Sequence, residues 1–380
     1  MTPQASPFGL KTGLSLEQRL SATRGRPSGF DLLRVVLATS VVVWHTVVVS
    51  YGIGIQDAIL ASRLRFAPAL ILPMFFALSG FLVAGSLQRT RTLVVFLGLR
   101  ILRIFPALAV ETTLSALVLG PLLTSFSLQE YFSSPQLYTY LWNLVGYVHL
   151  ELPGVFWTNP HPAVVNGQLW TVPYELECYV LLAALALIPF FSFRRIILLA
   201  VIFGQLAFAW RAIFGAAYTD SLIPGRVLVF SFVAGVAVYV YRQVIPWNRG
   251  LALGTFLLSV ILLNVHGGAY FVAVPVAYLT VYVGLHNPKK PRFLGDGDYS
   301  YGIFLYGYPI QQAIASLGTW THSWYLNLLL SFPIIVLFAM LSWHGVEKHA
   351  LKLRHPLAKW DAAWLKWGSL NKAQVTETGS

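Results

Sequence analysis

Charge and sulfur are what this 380-residue chain lacks: charged residues make up 11% of it, and Cys178 is its one cysteine. A single cysteine excludes an intrachain disulfide and leaves a thiolate metal site without support. So low a charged fraction excludes an ordinary soluble domain, in which roughly a quarter of residues are charged. The first thirty residues contain no apolar run of signal-peptide type, so no cleaved leader is expected. No internal repeat, low-complexity tract or appended soluble domain is visible. The segment 125–167 contains no lysine or arginine at all.

Hydrophobic residues supply the rest, at 57% of the chain. Helix-length apolar windows lie near 31–51, 68–87, 104–124, 168–190, 195–214, 225–242, 249–265, 268–286, 299–319 and 323–345. They predict an all-α, polytopic membrane protein with about ten transmembrane helices. Twenty-one of the 26 Lys and Arg residues fall on the side of the N-terminus, in 1–28, 88–103, 191–195, 242–249, 287–298 and the tail after 345. That bias predicts an N-in, C-in topology. The organisation expected is a cytoplasmic segment over 1–28, a transmembrane domain over 29–350 and a cytoplasmic tail over 351–380. The net charge of +12 is then a positive-inside signal with attraction to anionic membrane lipid. Scattered over separate loops, it is no nucleic-acid footprint.

Ionisable residues inside such spans are costly and mark candidate sites. Arg34 and His45 are eleven residues apart in FDLLRVVLATSVVVWH. On a helix that spacing is about three turns, so the two side chains lie in one line roughly 16 Å long. The remaining intramembrane polar residues sort into two layers. Arg34, Arg100, Arg103, Glu111 and the cluster Asp296, Asp298, Tyr299 and Ser300 are expected near the cytoplasmic face. His45, Glu175, Glu177, Arg211 and Arg226 are expected toward the outer face. Glu175 and Glu177 are about 200° apart on a helix, so only one of them can face a site shared with His45. An imidazole beside a carboxylate is the arrangement of an oriented general base. Arg211 and Arg226, near span ends, read as satisfied or snorkelling cations.

Arg100 and Arg103 lie three apart in LRILRIFP, which reads as a short amphipathic stretch ending at Pro106, where a span begins. With Arg34 they suit phosphate oxygens, although positive-inside flanking explains the same charges. No metal-ligand set stands out. Tyr131, Tyr138, Tyr140, Trp142, Tyr147 and Trp157 make 125–167 aromatic, as a cap over a sugar ring or an interfacial belt would be, and the belt is the favoured reading.

Several further strings coincide in order: FFALSGFL (75–82), LRILRIFP (99–106), NGQLWTVPYELECY (166–179), LGDGDYSYGIFLYGYPIQQ (294–312) and SWHGVEKHALKLR (342–354). Together with the Arg–x10–His helix they resemble the acyltransferase-3 family of bacterial membrane O-acyltransferases, over about residues 29–355. The resemblance implies that His45 is the essential histidine, with Arg34 its arginine partner, and that Arg100 and Arg103 form the RxxR element. It matches Trp170, Glu175 and Tyr179 to a W-x4-E-x3-Y element, with Glu177 a less certain addition. Phe76, Ser79 and Gly80 belong to a string that packs helices and lines a donor channel, and Tyr299 and Ser300 match the turn before the ninth span. Many members carry a histidine where this chain reads Tyr306-Gly307-Tyr308-Pro309. That departure implies no second essential imidazole, unless one comes from elsewhere.

The implied partners are an acyl-CoA donor, most simply acetyl-CoA, and a hydroxyl on a glycan or glycolipid, in a multi-pass protein of the bacterial cytoplasmic membrane. No bound cofactor is implied. Donor phosphates would sit at Arg100 and Arg103, and His45 would act as base, directly or through an acyl-histidine relay. Asn166, Trp170 and Tyr179 are oxyanion donors by type only. The competing class is a transporter or flippase with a relay through His45, Glu175 and Arg211. Against it, the two halves show no matching repeats or broken helices.

Overall fold

The computed structural model describes residues 13–25, 27–90, 92–188, 192–215, 223–289, 297–357 and 359. Asp296, the first twelve residues and every residue after 359 lie outside the described residues. The principal helices are α1 (Ser28–Tyr51), α2 (Phe66–Arg89), α3 (Leu93–Leu114), α4 (Val172–Ala186), α5 (Phe193–Phe214), α6 (Gly225–Val240), α7 (Arg249–Leu263), α8 (Ala273–Gly284), α9 (Ser300–Ala315) and α10 (Trp324–Ser342). Among the described residues there is no strand, only three isolated bridges.

A helix stands at each of the ten apolar windows, but not all are long enough to cross a bilayer. Six segments qualify by length and composition: Ser28–Tyr51, Phe66–Arg89, Leu93–Leu123, Gly167–Ala186, Phe193–Phe214 and Trp324–Leu357. Helices α6 to α9 have 16, 15, 12 and 16 residues, below the roughly 20 that a straight crossing needs.

The third window is corrected. Pro106 does not start a span but sits inside α3, which begins at Leu93 and takes Arg100 and Arg103 into the helix proper. A proline removes one backbone bond, and apolar helices tolerate that because neighbouring groups satisfy the freed carbonyl. Helices α2, α9 and α10 also carry internal prolines, at Pro73, Pro309 and Pro333. Beyond α3 the chain continues through a π turn, Ser115–Leu119, and one α turn to Leu123.

The chain forms two compact units. The first comprises Met1–Val48, Gly52–Gly85 and Ala184–Asp296, the second Val49–Tyr51, Ser86–Ala183 and Gly297–Ser380. In the first, α2 and α6 meet backbone to backbone. A Cβ on Gly80 would fall 2.0 Å from the Phe232 carbonyl oxygen, and one on Gly235 2.1 Å from that of Ala77. Small residues permit such approach where lipid offers no hydrophobic drive between helices. Phe81, beside Gly80, packs against Phe30 and Tyr239. The N-terminal segment is docked on this unit: Trp247 N–H donates to the Leu14 carbonyl, and Arg19 lies over the Trp247 ring.

In the second unit, α9 lies along α10 with Gly302 directly against Ala339. Residues 125–167 form a packed subdomain rather than an open loop. Tyr131, Leu137, Tyr140, Leu152, Val155, Phe156 and Val165 make its core with Ala116. The aromatic set read as a belt therefore divides. Tyr131 and Tyr140 are fully buried, whereas Tyr138, Trp142, Tyr147 and Trp157 are exposed.

Candidate active site

Helix α3 carries two polar centres of the second unit, one at each end of a line. Arg100 and Glu111 are eleven residues apart, the same spacing as Arg34 and His45 on α1. The line from guanidinium to carboxylate is again roughly 16 Å and nearly straight along the helix.

The first centre is ionic. Arg103 donates to Asp298 at 2.7 Å and to Glu347 at 3.3 Å. Its guanidinium lies 5.7 Å from the Tyr301 ring centroid. Glu347 also accepts from Ser342 at 3.0 Å, and Asp298 from Ser300 at 2.6 Å. Glu347 closes a π turn, Trp343–Glu347, at the end of α10. Such turns shift one side chain out of helical register and recur at functional sites. Tyr299 hydrogen-bonds His344 at 3.3 Å. One turn before Arg103, Arg100 donates to Ser86 at 3.3 Å and lies over the Tyr179 ring at 5.9 Å. Tyr179 donates to Glu175, one turn earlier on α4. The RxxR and W-x4-E-x3-Y strings, about seventy residues apart in sequence, thus meet through Arg100 and Tyr179.

Among the described residues the second centre has no cation. Glu111, 1% exposed, accepts from Ser115 at 2.7 Å and from the Asn166 amide at 2.9 and 3.0 Å. The same amide reaches the Tyr140 hydroxyl. Ser115 opens the π turn that follows α3. The Asn166 Oδ1 is buried and has no hydrogen-bond partner among the described residues. Asn166 is followed by Gly167, whose added Cβ would lie 2.7 Å from the Tyr308 ring, and by Gln168, whose amide donates to the Leu305 carbonyl at 2.6 Å.

Both layers expected from sequence are redrawn by this geometry. Glu111 belongs with Asn166, at the end of 125–167, because α3 starts eleven residues earlier than its window and carries Glu111 eighteen residues in. Glu175 belongs with Tyr179 and Arg100. Of the other predicted residues, Arg34, His45, Phe76, Ser79 and Arg211 lie in the first unit. Arg34, His45 and Ser79 are partly buried, and Phe76 is buried. Arg211 donates to the Tyr270 hydroxyl at 3.0 Å, the satisfied cation expected near a span end. Trp170 packs edge-on to Tyr174, and Glu177 is partly buried on α4.

Sequence reasoning passed over Glu347, although it lies in the quoted string SWHGVEKHALKLR. Only a π turn puts it beside Arg103, and a hydropathy window carries no sign of such a turn. It also assigned no second imidazole. The structure places His161, from the 125–167 segment, on the Tyr308 hydroxyl.

Comparison with known sequences agrees with the ordered motifs. The profile of the acyltransferase-3 family, an acyltransferase domain, matches residues 28–344. The chain belongs to this family. An O-acetyl transferase of Shigella phage Sf6 is 27% identical over 349 residues, 86% of this chain and 97% of that protein. Nodulation protein 10 of Rhizobium leguminosarum bv. viciae is 27% identical over 367 residues, 88% of this chain and 95% of that protein. No solved structure matches. Family membership and the apolar helices make the chain a multi-pass membrane acyltransferase.

Proposed function

We propose that the protein transfers an acyl group, most simply acetyl, from cytoplasmic acyl-CoA to a hydroxyl of a glycan or glycolipid, at the outer side of the bacterial cytoplasmic membrane. The observation that carries this reading is the full-length similarity to a protein named O-acetyl transferase, within a family of acyltransferases. The ionic centre supports the donor half. Arg100 and Arg103 are assigned the donor phosphates. Arg103 uses two of its five N–H donors on Asp298 and Glu347, so it binds phosphate with those that remain. The carboxylates fix the guanidinium in place, and Arg100 supplies the adjacent cation.

His45 is assigned as general base, with Arg34 in line with it on α1. Glu175 is held by Tyr179 at the Arg100 centre, and Tyr299 and Ser300 flank Asp298 on the donor side. As the acceptor oxygen attacks the thioester carbonyl, His45 takes its proton. The carbon–sulfur bond then breaks, and the CoA thiolate leaves with that proton. Trp170, Asn166 and Tyr179 are donors of the type that stabilises an oxyanion.

The test is radiolabelled acetyl transfer from acetyl-CoA in inverted membrane vesicles, wild type against His45→Ala. Loss of a general base costs roughly 10²- to 10⁴-fold, so transfer falls to background while the variant stays folded. Transfer at the wild-type rate removes His45 from the mechanism.

A further inference from the structure

The His161–Tyr308 pair is built more firmly than a surface contact requires. Tyr308 is 2% exposed on α9, and its hydroxyl meets Nδ1 of the partly buried His161. Around the histidine the backbone is pinned to α9. Gln312 donates to the carbonyls of His161 and Val164 at 2.8 and 2.7 Å, and Asn159 donates to Gln312 at 2.9 and 2.8 Å. Asn159 and Gln312 are themselves buried. Two non-glycine residues bracketing this turn, Phe156 and Ala163, hold φ at 60° and 64°. Such left-handed backbone is costly and persists where the surroundings enforce it.

The direction of this bond sets the tautomer, because the phenol can donate to Nδ1 or accept from it. With Tyr308 as the donor, Nδ1 accepts. The single ring proton then sits on Nε2. Burial lowers the His161 pKa below its ordinary value, which keeps the ring neutral. Nε2 makes no hydrogen bond to any described residue. With no Lys or Arg anywhere in 125–167, the surroundings do not favour a phosphate or carboxylate ligand. Trp157, half exposed and edge-on to Phe126 at 5.1 Å, gives the same segment an aromatic face.

We infer that His161, set in its Nε2–H tautomer by Tyr308, is a recognition residue that donates a hydrogen bond to an oxygen of a neutral, polyhydroxylated acceptor. The inference rests on the acyltransferase reading for the role of that ligand as acceptor. Tyr308 acts through His161 and is a positioning residue.

The experiment uses the full chain in detergent, with methyl glucoside, methyl rhamnoside and methyl N-acetylglucosaminide as probes for saturation-transfer NMR and inorganic phosphate as the anionic comparison. At least one glycoside is expected to bind wild type. His161→Gln should bind it comparably, because the amide oxygen accepts from Tyr308 while the NH₂ donates outward. His161→Leu should weaken it about tenfold, the value of one hydrogen bond at the upper end. Nitrogen-15 shifts should place the His161 proton on Nε2 in wild type, and Tyr308→Phe should remove that preference. No glycoside binding, equal binding by His161→Leu, equal loss in His161→Gln, preferred binding of phosphate or an Nδ1–H ring would each overturn the inference. Thermal stabilisation by acetyl-CoA is recorded on the same samples. Stabilisation without glycoside binding sinks this inference and leaves the acyl-CoA reading standing. Glycoside binding without stabilisation supports this inference and counts against the acyl-CoA reading.

Discussion

The two centres along α3 answer the same problem, polar groups inside an apolar segment, in opposite ways. At Arg103 the answer is charge against charge: a guanidinium 21% exposed between Asp298 and the nearly buried Glu347. At Glu111 it is hydroxyl and amide, with Ser115 and Asn166 as donors and no cation within ion-pair distance among the described residues. Each is built at a π turn. The difference teaches what each end suits. The arginine pair offers cations to an anionic ligand such as a nucleotide diphosphate, whereas the Glu111 carboxylate, met by a hydroxyl and an amide, offers none.

The comparison breaks most visibly at Arg103. Arg103→Ala leaves Glu347 buried without its cation, a change that costs about 3–5 kcal/mol. Denaturation in detergent should show this, together with a raised KM for the acyl-CoA donor. An unchanged KM with weakened acceptor binding would move the phosphates elsewhere. Replacing both members, Arg103→Leu with Glu347→Leu, should recover much of that stability, since an apolar pair of similar volume is often neutral. Donor binding should not return with it. If it does, the cation is structural only.

At the other end, Asn166→Leu strips Glu111 of its amide donor and should cost about 1–3 kcal/mol, the penalty for a buried acceptor left unmet. The effect should appear with the donor KM unchanged, and a raised donor KM would erase the distinction between the ends. The smallest effect separates two neighbours on α4. Glu175→Gln should lower activity severalfold more than Glu177→Gln, because Tyr179 holds Glu175 at the Arg100 centre. The reverse order would reassign the carboxylate.

Helix at each apolar window was legible because long apolar runs have no other stable form in a bilayer; that only six of the described helices are long enough to cross was not. Span ends were not. Pro106 reads as a helix start, yet its helix begins at Leu93, and that shift moved Glu111 from one layer to the other. The meeting of Arg100 with Tyr179, the reach of Glu347 and the seat of His161 on Tyr308 all depend on contacts between distant segments, to which periodicity is blind. Gly80 was legible as a packing residue but not as one in contact with the Phe232 backbone. The segment 125–167 announced its missing cations, while its folded core around Tyr131 and Tyr140 stayed hidden behind aromatics that equally suit a belt.

The central claim is a donor site of arginines distinct from the catalytic base. Thermal stabilisation of the purified protein by acetyl-CoA, CoA and desulfo-CoA, in wild type, His45→Ala and Arg100→Ala, tests it most directly. The account predicts a shift that survives in His45→Ala and disappears in Arg100→Ala. No shift with any CoA species, or a shift that Arg100→Ala retains in full, would contradict it.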